Sequence, residues 1–393
     1  MKKKLLFSAL ILVLLCVIFI FLGLRQNAAP AGSTASQDNK EPITATLAVC
    51  GDIMSHSPQT NDAYDAATDT YSYLPCFQSV SSWIEAADYA VAYDLKTIGF
   101  DLVTTANNHS MDKGFQGLAR TLDVLDQAGL QHVGTYRTQE AFTQNNGVIV
   151  ADVGGISVAF LGYTYGTNGI AVPQDKDFSL NRFNTDYTGA CATLDQEKLQ
   201  QELAYAESLG TDLIAVMVHW GIEYQTTQNA YQEQVADFLI SHGADLILGS
   251  HSHVPQPLET RTVTLDDGST RSGLVCYSLG NFVSNQSPAT VNVNYTDTTA
   301  ILNLELTKDP ATGETTVSHI NYVPLLVLNR GANVQDRYII LDVNAAIAEY
   351  KAGNTTTVSD AVYQKLEYAL EGCHTILGEK YDTAGSPPAG SAA

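Results

Sequence analysis

The chain has 393 residues, 45% hydrophobic and 16% charged, a globular composition with room for one large α/β domain or two ordinary ones. Its formal net charge of −22 argues against nucleic acid as a partner, because phosphate contacts need Lys and Arg. An acidic surface alone does not name a substrate.

Lys2, Lys3 and Lys4 precede a nearly unbroken apolar run over 5–24, about the length that spans a bilayer. Such a basic flank stays cytoplasmic and sends the rest of the chain outside. Residues 1–25 are therefore expected to be an N-terminal membrane anchor or signal. The expected localisation is the cell membrane, single-pass with the C-terminal domain extracytoplasmic; secretion after signal cleavage around 28–31 is the alternative. Residues 26–43 are rich in Ala, Ser, Gly and Pro and read as a flexible linker.

The main domain is expected over 44–345, with strands and helices alternating as in an α/β sheet. Helical spacing over 115–128 stops at Gly129. Residues 148–152 and 156–163 flank Gly154-Gly155 as a hairpin. Amphipathic helices over 195–209 and 231–242 each end at a glycine and lead into an apolar run that finishes in histidine. The later segments 260–264, 273–278, 300–306 and 315–324 look mostly antiparallel, which predicts a second, mixed sheet packed on the first. A C-terminal helical extension is expected over 346–380, with its helix at 358–377, and a disordered tail over 381–393. Of the six cysteines, Cys16 falls in the apolar N-terminal run, Cys50 and Cys276 read as buried core thiols, and Cys76, Cys191 and Cys373 are too scattered for a disulfide framework.

Four apolar runs end in ligand chemistry: one at Asp52, one at Asn108-His109, one at His219 and one at His251-Ser252-His253. Open α/β sheets bind ligands at the C-terminal ends of their strands. Imidazoles with Asp52 and Asn108 suit Zn, Mn or Fe better than Ca or Mg. His251 and His253 are two apart, so on an extended segment both face one side. Asp112, three residues after His109, is placed to orient that imidazole, and a His beside a bound phosphate or water serves as a general acid. The alternative for Asn107-Asn108-His109 is a cap on the following helix. His56, His132, His242, His319 and His374 lack the strand-end context and read as structural.

The segments Gly51-Asp52-Ile53-Met54, Ala106-Asn107-Asn108-His109-Ser110-Met111-Asp112-Lys113-Gly114, His219-Trp220-Gly221-Ile222-Glu223-Tyr224, His251-Ser252-His253-Val254-Pro255-Gln256 and Ser278-Leu279-Gly280-Asn281-Phe282 resemble the CapA family of poly-γ-glutamate capsule-synthesis proteins. That family's domain is similar to the calcineurin-like metallophosphoesterases. The resemblance runs in order over 44–324 and implies a four-layer αββα sandwich with mixed sheets, at a bacterial envelope. It implies Asp52, Asn108, His219, His251 and His253 as ligands of one or two divalent ions, with His109 and Asp112 as catalytic residues. It also implies an anionic polymer or phosphoester substrate and a capsule-synthesis complex.

The chain departs from that pattern at one place. The family carries an Asn-Leu-Glu motif and a long connection before the Asn-Asn-His strand; here Ala92 runs directly into Tyr93-Asp94-Leu95. Parallel strands need a crossover of about a dozen residues, so either 89–92 is not a full strand or the junction is compressed. Without that carboxylate, one metal position keeps only Asp52 and His253, unless Asp94 substitutes. Met54 stands where many metallophosphoesterases have histidine. Two functions are compatible with this pattern: a metal-dependent hydrolase, or a non-catalytic scaffold that handles polymer on the same fold.

Overall fold

The strand Ile43–Val49 alternates its burial: Ala45, Leu47 and Val49 face one core while Ala48 faces another. That period-2 pattern with both faces apolar requires a layer on each side of the sheet. The computed structural model describes residues 41–92, 98–332, 334–356 and 358–383. The expected membrane segment, nearly all of the linker and most of the tail lie outside the described residues. Among those described, no helix is long and apolar enough to cross a membrane.

Two large sheets are present. The first runs in the spatial order Tyr338–Asp342, Thr315–Asn329, Thr298–Lys308, Ile43–Val49, Tyr89–Ala92, Leu102–Thr104, Gln131–Val133. The second runs Pro255–Thr264, Thr270–Leu279, Leu246–Ser250, Leu213–His219, Ile156–Thr164, Ile149–Val153. Both mix parallel and antiparallel pairs. Their inner faces meet in one core, where Leu47, Val91 and Leu304 pack with Phe160, Met217 and Leu248. Outside the first sheet, Leu118, Leu122 and Leu125 of the helix Gly114–Ala128 cover Ala90 and Val103. Outside the second, Leu199 and Leu203 of Gln196–Ser208 and Val235 and Leu239 of Ala230–Ser241 cover Leu161, Val216 and Ile247. The result is a four-layer αββα sandwich.

The expected elements over 115–128, 148–163, 195–209 and 231–242 form within a residue or two of their expected bounds. Gly129 terminates its helix in the left-handed conformation, φ 71°, as a C-cap glycine should. The later strands divide differently from expectation. Pro255–Thr264 and Thr270–Leu279 extend the sheet that holds His219, whereas Thr298–Lys308 returns to pair antiparallel with Ile43–Val49. Alternation reports which face a strand buries but not which neighbour it takes. The helices Val343–Lys351 and Asp360–Cys373 pack on Leu326 and Leu328 of the first sheet. Cys50, Cys76, Cys276 and Cys373 are buried free thiols.

Tyr89–Ala92 is a strand, parallel both to Ile43–Val49 and to Leu102–Thr104. The junction is therefore the compressed one: only residues 93–101 separate two parallel neighbours. Asp94, the expected substitute carboxylate, lies outside the described residues.

Candidate metal centre

Asp52 arrives from the first sheet and the histidines from the second. Their meeting point is a backbone crossing. Asp52 N–H donates to the Gly280 carbonyl at 2.9 Å, and Asp52–Ile53 pairs in parallel with Asn281–Val283. A side chain at Gly51 would put its Cβ 2.1 Å from the Gly280 oxygen, so glycine is required for the two chains to approach this closely. Asp52 Oδ2 in turn accepts the His251 N–H at 3.0 Å.

His219 ends the fully buried strand Leu213–His219, and Ser250 ends its parallel neighbour Leu246–Ser250. His219 Nδ1 lies 2.8 Å from Ser250 Oγ, and its Nε2 lies 3.0 Å from Asn108 Oδ1. The Asn108 amide donates onward to Asn168 Oδ1 at 3.1 Å, which directs Oδ1 toward His219. Ser250 also bonds Asp52. When its hydroxyl donates to that carboxylate, His219 Nδ1–H donates to Ser250 and the Nε2 lone pair faces the Asn108 oxygen. Two acceptors facing one another at this distance suit a shared cation.

His251 and His253 come after the strand rather than extend it. Their φ values are 103° and 62°, left-handed backbone that non-glycine residues rarely adopt. The expectation that both face one side of an extended segment is corrected: two left-handed residues place them. His251 lies between His219 and Tyr165, with ring centroids 4.7 Å from each, and its Nδ1 is buried with no partner. His253 Nδ1–H donates to Asn281 Oδ1 at 3.0 Å, leaving Nε2 facing Glu223 Oε1 at 3.8 Å.

Burial and the neighbouring His253 push His251 down to about 4, and burial with the neighbouring histidines holds His219 well below the ordinary histidine value. Both are therefore neutral at physiological pH, the state in which imidazole binds a metal. His253 moves the other way: burial opposes its charge, but Glu223, Asp52 and Asn281 together raise it. Burial likewise raises Asp52, against the pull of His253.

A cavity of about 570 Å³ opens beside these groups, lined by Asp52, Asn108, His109, His219 and His253. His109 Nδ1–H donates to Asp112 Oδ2 at 2.8 Å, the orientation expected from the three-residue spacing. The Asn107 side chain accepts the His109 N–H at 2.9 Å, and the next helix does not start until Gly114, so this turn does not cap it. His56, expected to be structural, lines the same cavity. Glu223, Asn281, Ser250 and Asn168 also join the site. Glu223 and Asn281 stand inside the family-like segments 219–224 and 278–282, but nothing in their local pattern marks them as site residues.

Among the described residues, no three His, Cys, Asp or Glu side chains converge closely enough to hold a metal ion. The donors are instead engaged with Asn108, Ser250, Asn281 and one another. Their chemistry still fits a cation: two neutral imidazoles, an amide oxygen, a carboxylate, and one buried imidazole nitrogen without a partner.

A four-layer αββα sandwich that brings Asp, Asn and His together at its strand ends defines the class of this α/β protein. The sequence profile of bacterial capsule synthesis protein PGA_cap matches residues 89–286, and the chain belongs to that family. It is similar to capsule biosynthesis protein CapA of Bacillus anthracis, 26% identical over 320 residues that cover 72% of this chain and 70% of that one. It is also similar to PGA biosynthesis protein CapA of Bacillus subtilis (strain 168), 31% identical over 194 residues, 49% of this chain and 44% of the relative. Among solved structures, calcineurin-like phosphoesterase YfkN from Bacillus subtilis is 14% identical with a TM-score of 0.38, covering 84% of this chain and 99% of that one.

Proposed function

We propose that this protein acts outside the cytoplasmic membrane in the synthesis of a poly-γ-glutamate-type capsule or another envelope polymer. It does so through a divalent-cation hydrolase site that works on a phosphoester or on the polymer itself. The family assignment and the relatives' names support the capsule context. The basic, apolar N-terminus supports the location. The observation that carries the chemistry is the cavity in which His219, Asn108 and Asp52 stand beside the His109–Asp112 pair.

Asn108, His219, His251 and Asp52 would hold a Mn, Zn or Fe ion. Bound there, the ion supplies a Lewis acid for an oxyanion. The protein's own part is positional. Asp112 accepts Nδ1–H of His109, which leaves Nε2 as the nitrogen for proton transfer: the imidazolium gives its Nε2 proton to the departing oxygen of the substrate and returns to the neutral Nδ1–H form. Lys113 lines the same cavity and attracts an anionic group to it. Asn281 and Ser250 hold His253 and His219 by Nδ1, which leaves each Nε2 toward the site.

The test uses purified full-length protein with Mn, Zn or Fe, an activated phosphodiester and poly-γ-glutamate. Metal-dependent turnover is expected, with His109→Ala lowering kcat by about 10²–10⁴ while metal uptake persists. No turnover with any metal, alongside a capsule lost when the gene is deleted, would instead favour a second reading. In that reading the chain is a non-catalytic scaffold, as the missing acidic motif after Ala92 would allow.

A further inference from the structure

We infer that His56 and Lys113 form an oxyanion-binding subsite of this cavity, holding a phosphate or carboxylate group of the substrate. The inference rests on the reading that the cavity takes an anionic substrate, and deepens it by naming the donors.

Three observations carry it. First, much of the polar lining is already committed within the fold. His109 donates to Asp112, the Thr105 and Thr135 hydroxyls bond each other at 2.6 Å, and Thr121 Oγ1 donates to the Gly117 carbonyl at 3.1 Å. Lys113 lines the same cavity and forms no ion pair among the described residues. In a chain where acidic residues outnumber basic ones by 42 to 20, a lysine left unpaired at a cavity is available to an anion from outside.

Second, His56 is fixed in place. Its carbonyl accepts the Gln59 and Thr60 N–H groups at the start of the helix Ser57–Ala63, and its own N–H donates to Gln59 Oε1 at 2.9 Å. Its Nδ1 accepts the Asn285 N–H at 3.3 Å. Burial, with His253 and His109 adding to it against Gln59, holds the ring below the ordinary histidine value. The neutral ring then carries its hydrogen on Nε2, the nitrogen left for a ligand. The segment that supplies the Asn285 bond is itself anchored: Asn281 Nδ2 donates to Gln286 Oε1 at 3.2 Å, and the Tyr338 hydroxyl donates to Asn285 Oδ1 at 2.5 Å.

Third, the helix Gly114–Ala128 makes room for the lysine. A Cβ at Gly117 would stand 2.4 Å from Lys113 Cβ, so glycine lets the Lys113 stem lie over the helix, and both residues line the cavity. Glycine weakens a helix interior relative to alanine, so its presence here answers to that close approach. Lysine supplies charge and imidazole N–H supplies direction, the combination that suits an oxyanion.

The experiment measures binding of inorganic phosphate and of tri-γ-L-glutamate to the purified full-length protein by calorimetry, as isolated and after chelation. Wild type, His56→Ala, His56→Gln, Lys113→Gln, Gly117→Ala and the remote control Lys351→Gln are compared at two salt concentrations. Wild type is expected to bind one of the two anions more tightly, which identifies the group. His56→Ala and Lys113→Gln should each weaken that binding about tenfold, and His56→Gln should recover part of the loss. Lys351→Gln should match wild type. Lys113→Gln should also flatten the salt dependence, which His56→Ala leaves as it is. Gly117→Ala displaces the lysine stem while keeping its charge, and should weaken binding as well. Unchanged melting temperatures establish that the variants fold. Binding of neither anion by wild type overturns the inference, as does wild-type affinity in either His56→Ala or Lys113→Gln. Anion binding that depends on both residues, without turnover under any metal, would overturn the hydrolase reading and leave this inference standing.

Discussion

At Gly51 a missing side chain decides where the Asp52 carboxylate can stand. The Gly280 carbonyl occupies the space that a Cβ would need, and Asp52 is the next residue. Gly51→Ala is therefore expected to destabilise the protein by about 1–3 kcal/mol, read as a lower denaturant midpoint, because neither backbone can yield without breaking the Asp52–Gly280 bond. The same substitution should reduce Mn²⁺ uptake, since Asp52 would move away from His251. A midpoint within error of wild type would show that the close approach is not real. His251 and His253 make the complementary point. Their identities mark them as ligand candidates in the sequence, but their left-handed φ values do not follow from residue type, since histidine, though enriched in that region, still adopts it only in a small minority of cases.

Among the elements, the connection from His219 to the helix Ala230–Ser241 matters most, because it carries Glu223 and Tyr224. Its far end is a capping box: Asn229 accepts the Gln232 N–H, and the Gln232 side chain accepts the Asn229 N–H at 3.0 Å. The buried Gln232 amide then donates to Gln256 Oε1 at 2.9 Å, and Gln256 donates to the Gln225 and Thr227 carbonyls. One helix cap thereby anchors the loop. Gln232→Ala should cost about 1–3 kcal/mol in a chemical melt, because it removes the cap and leaves the buried Gln256 oxygen without its donor. A midpoint within error of wild type would show that the Gln232–Gln256 bond does not anchor the loop. The helix itself was legible from its spacing and its terminal glycine. The Gln232–Gln256 bond was not, because its partner is a strand residue 24 positions away.

For the whole molecule, charge and burial set the pH response. Asp297 is 7% exposed, its Oδ1 has no partner, and burial lifts its carboxyl to about 6 against an ordinary 3.8, with Lys365 opposing only weakly. The folded state therefore binds a proton that the unfolded chain has released between these two values, so stability falls as pH rises through that window. The penalty is fully present above about 6 and amounts to ~3 kcal/mol. Asp297→Asn is expected to raise the denaturant midpoint at pH 8 and to leave it unchanged at pH 3.5. Equal effects at both values would contradict a raised carboxyl. The net charge of −22 adds a general self-repulsion that moderate salt should relieve.

At this scale the division between sequence and structure has a physical basis. Periodicity, glycine stops and strand-end polar residues are local properties, and they sufficed for an α/β chain with a second, mixed sheet and for singling out Asp52, Asn108, His219, His251 and His253, while the αββα sandwich was implied by the family resemblance. Pairing is not local. Which sheet receives Thr298–Lys308, how nine residues join two parallel strands after Ala92, and why Asn281, Ser250 and Glu223 stand beside the histidines all depend on where two sheets cross. The amino-acid sequence by itself determined the element types and the side chains that stand at the strand ends. Only the tertiary structure decided their neighbours, because hydrogen bonds and ion pairs between distant segments exist only once the sheets have packed.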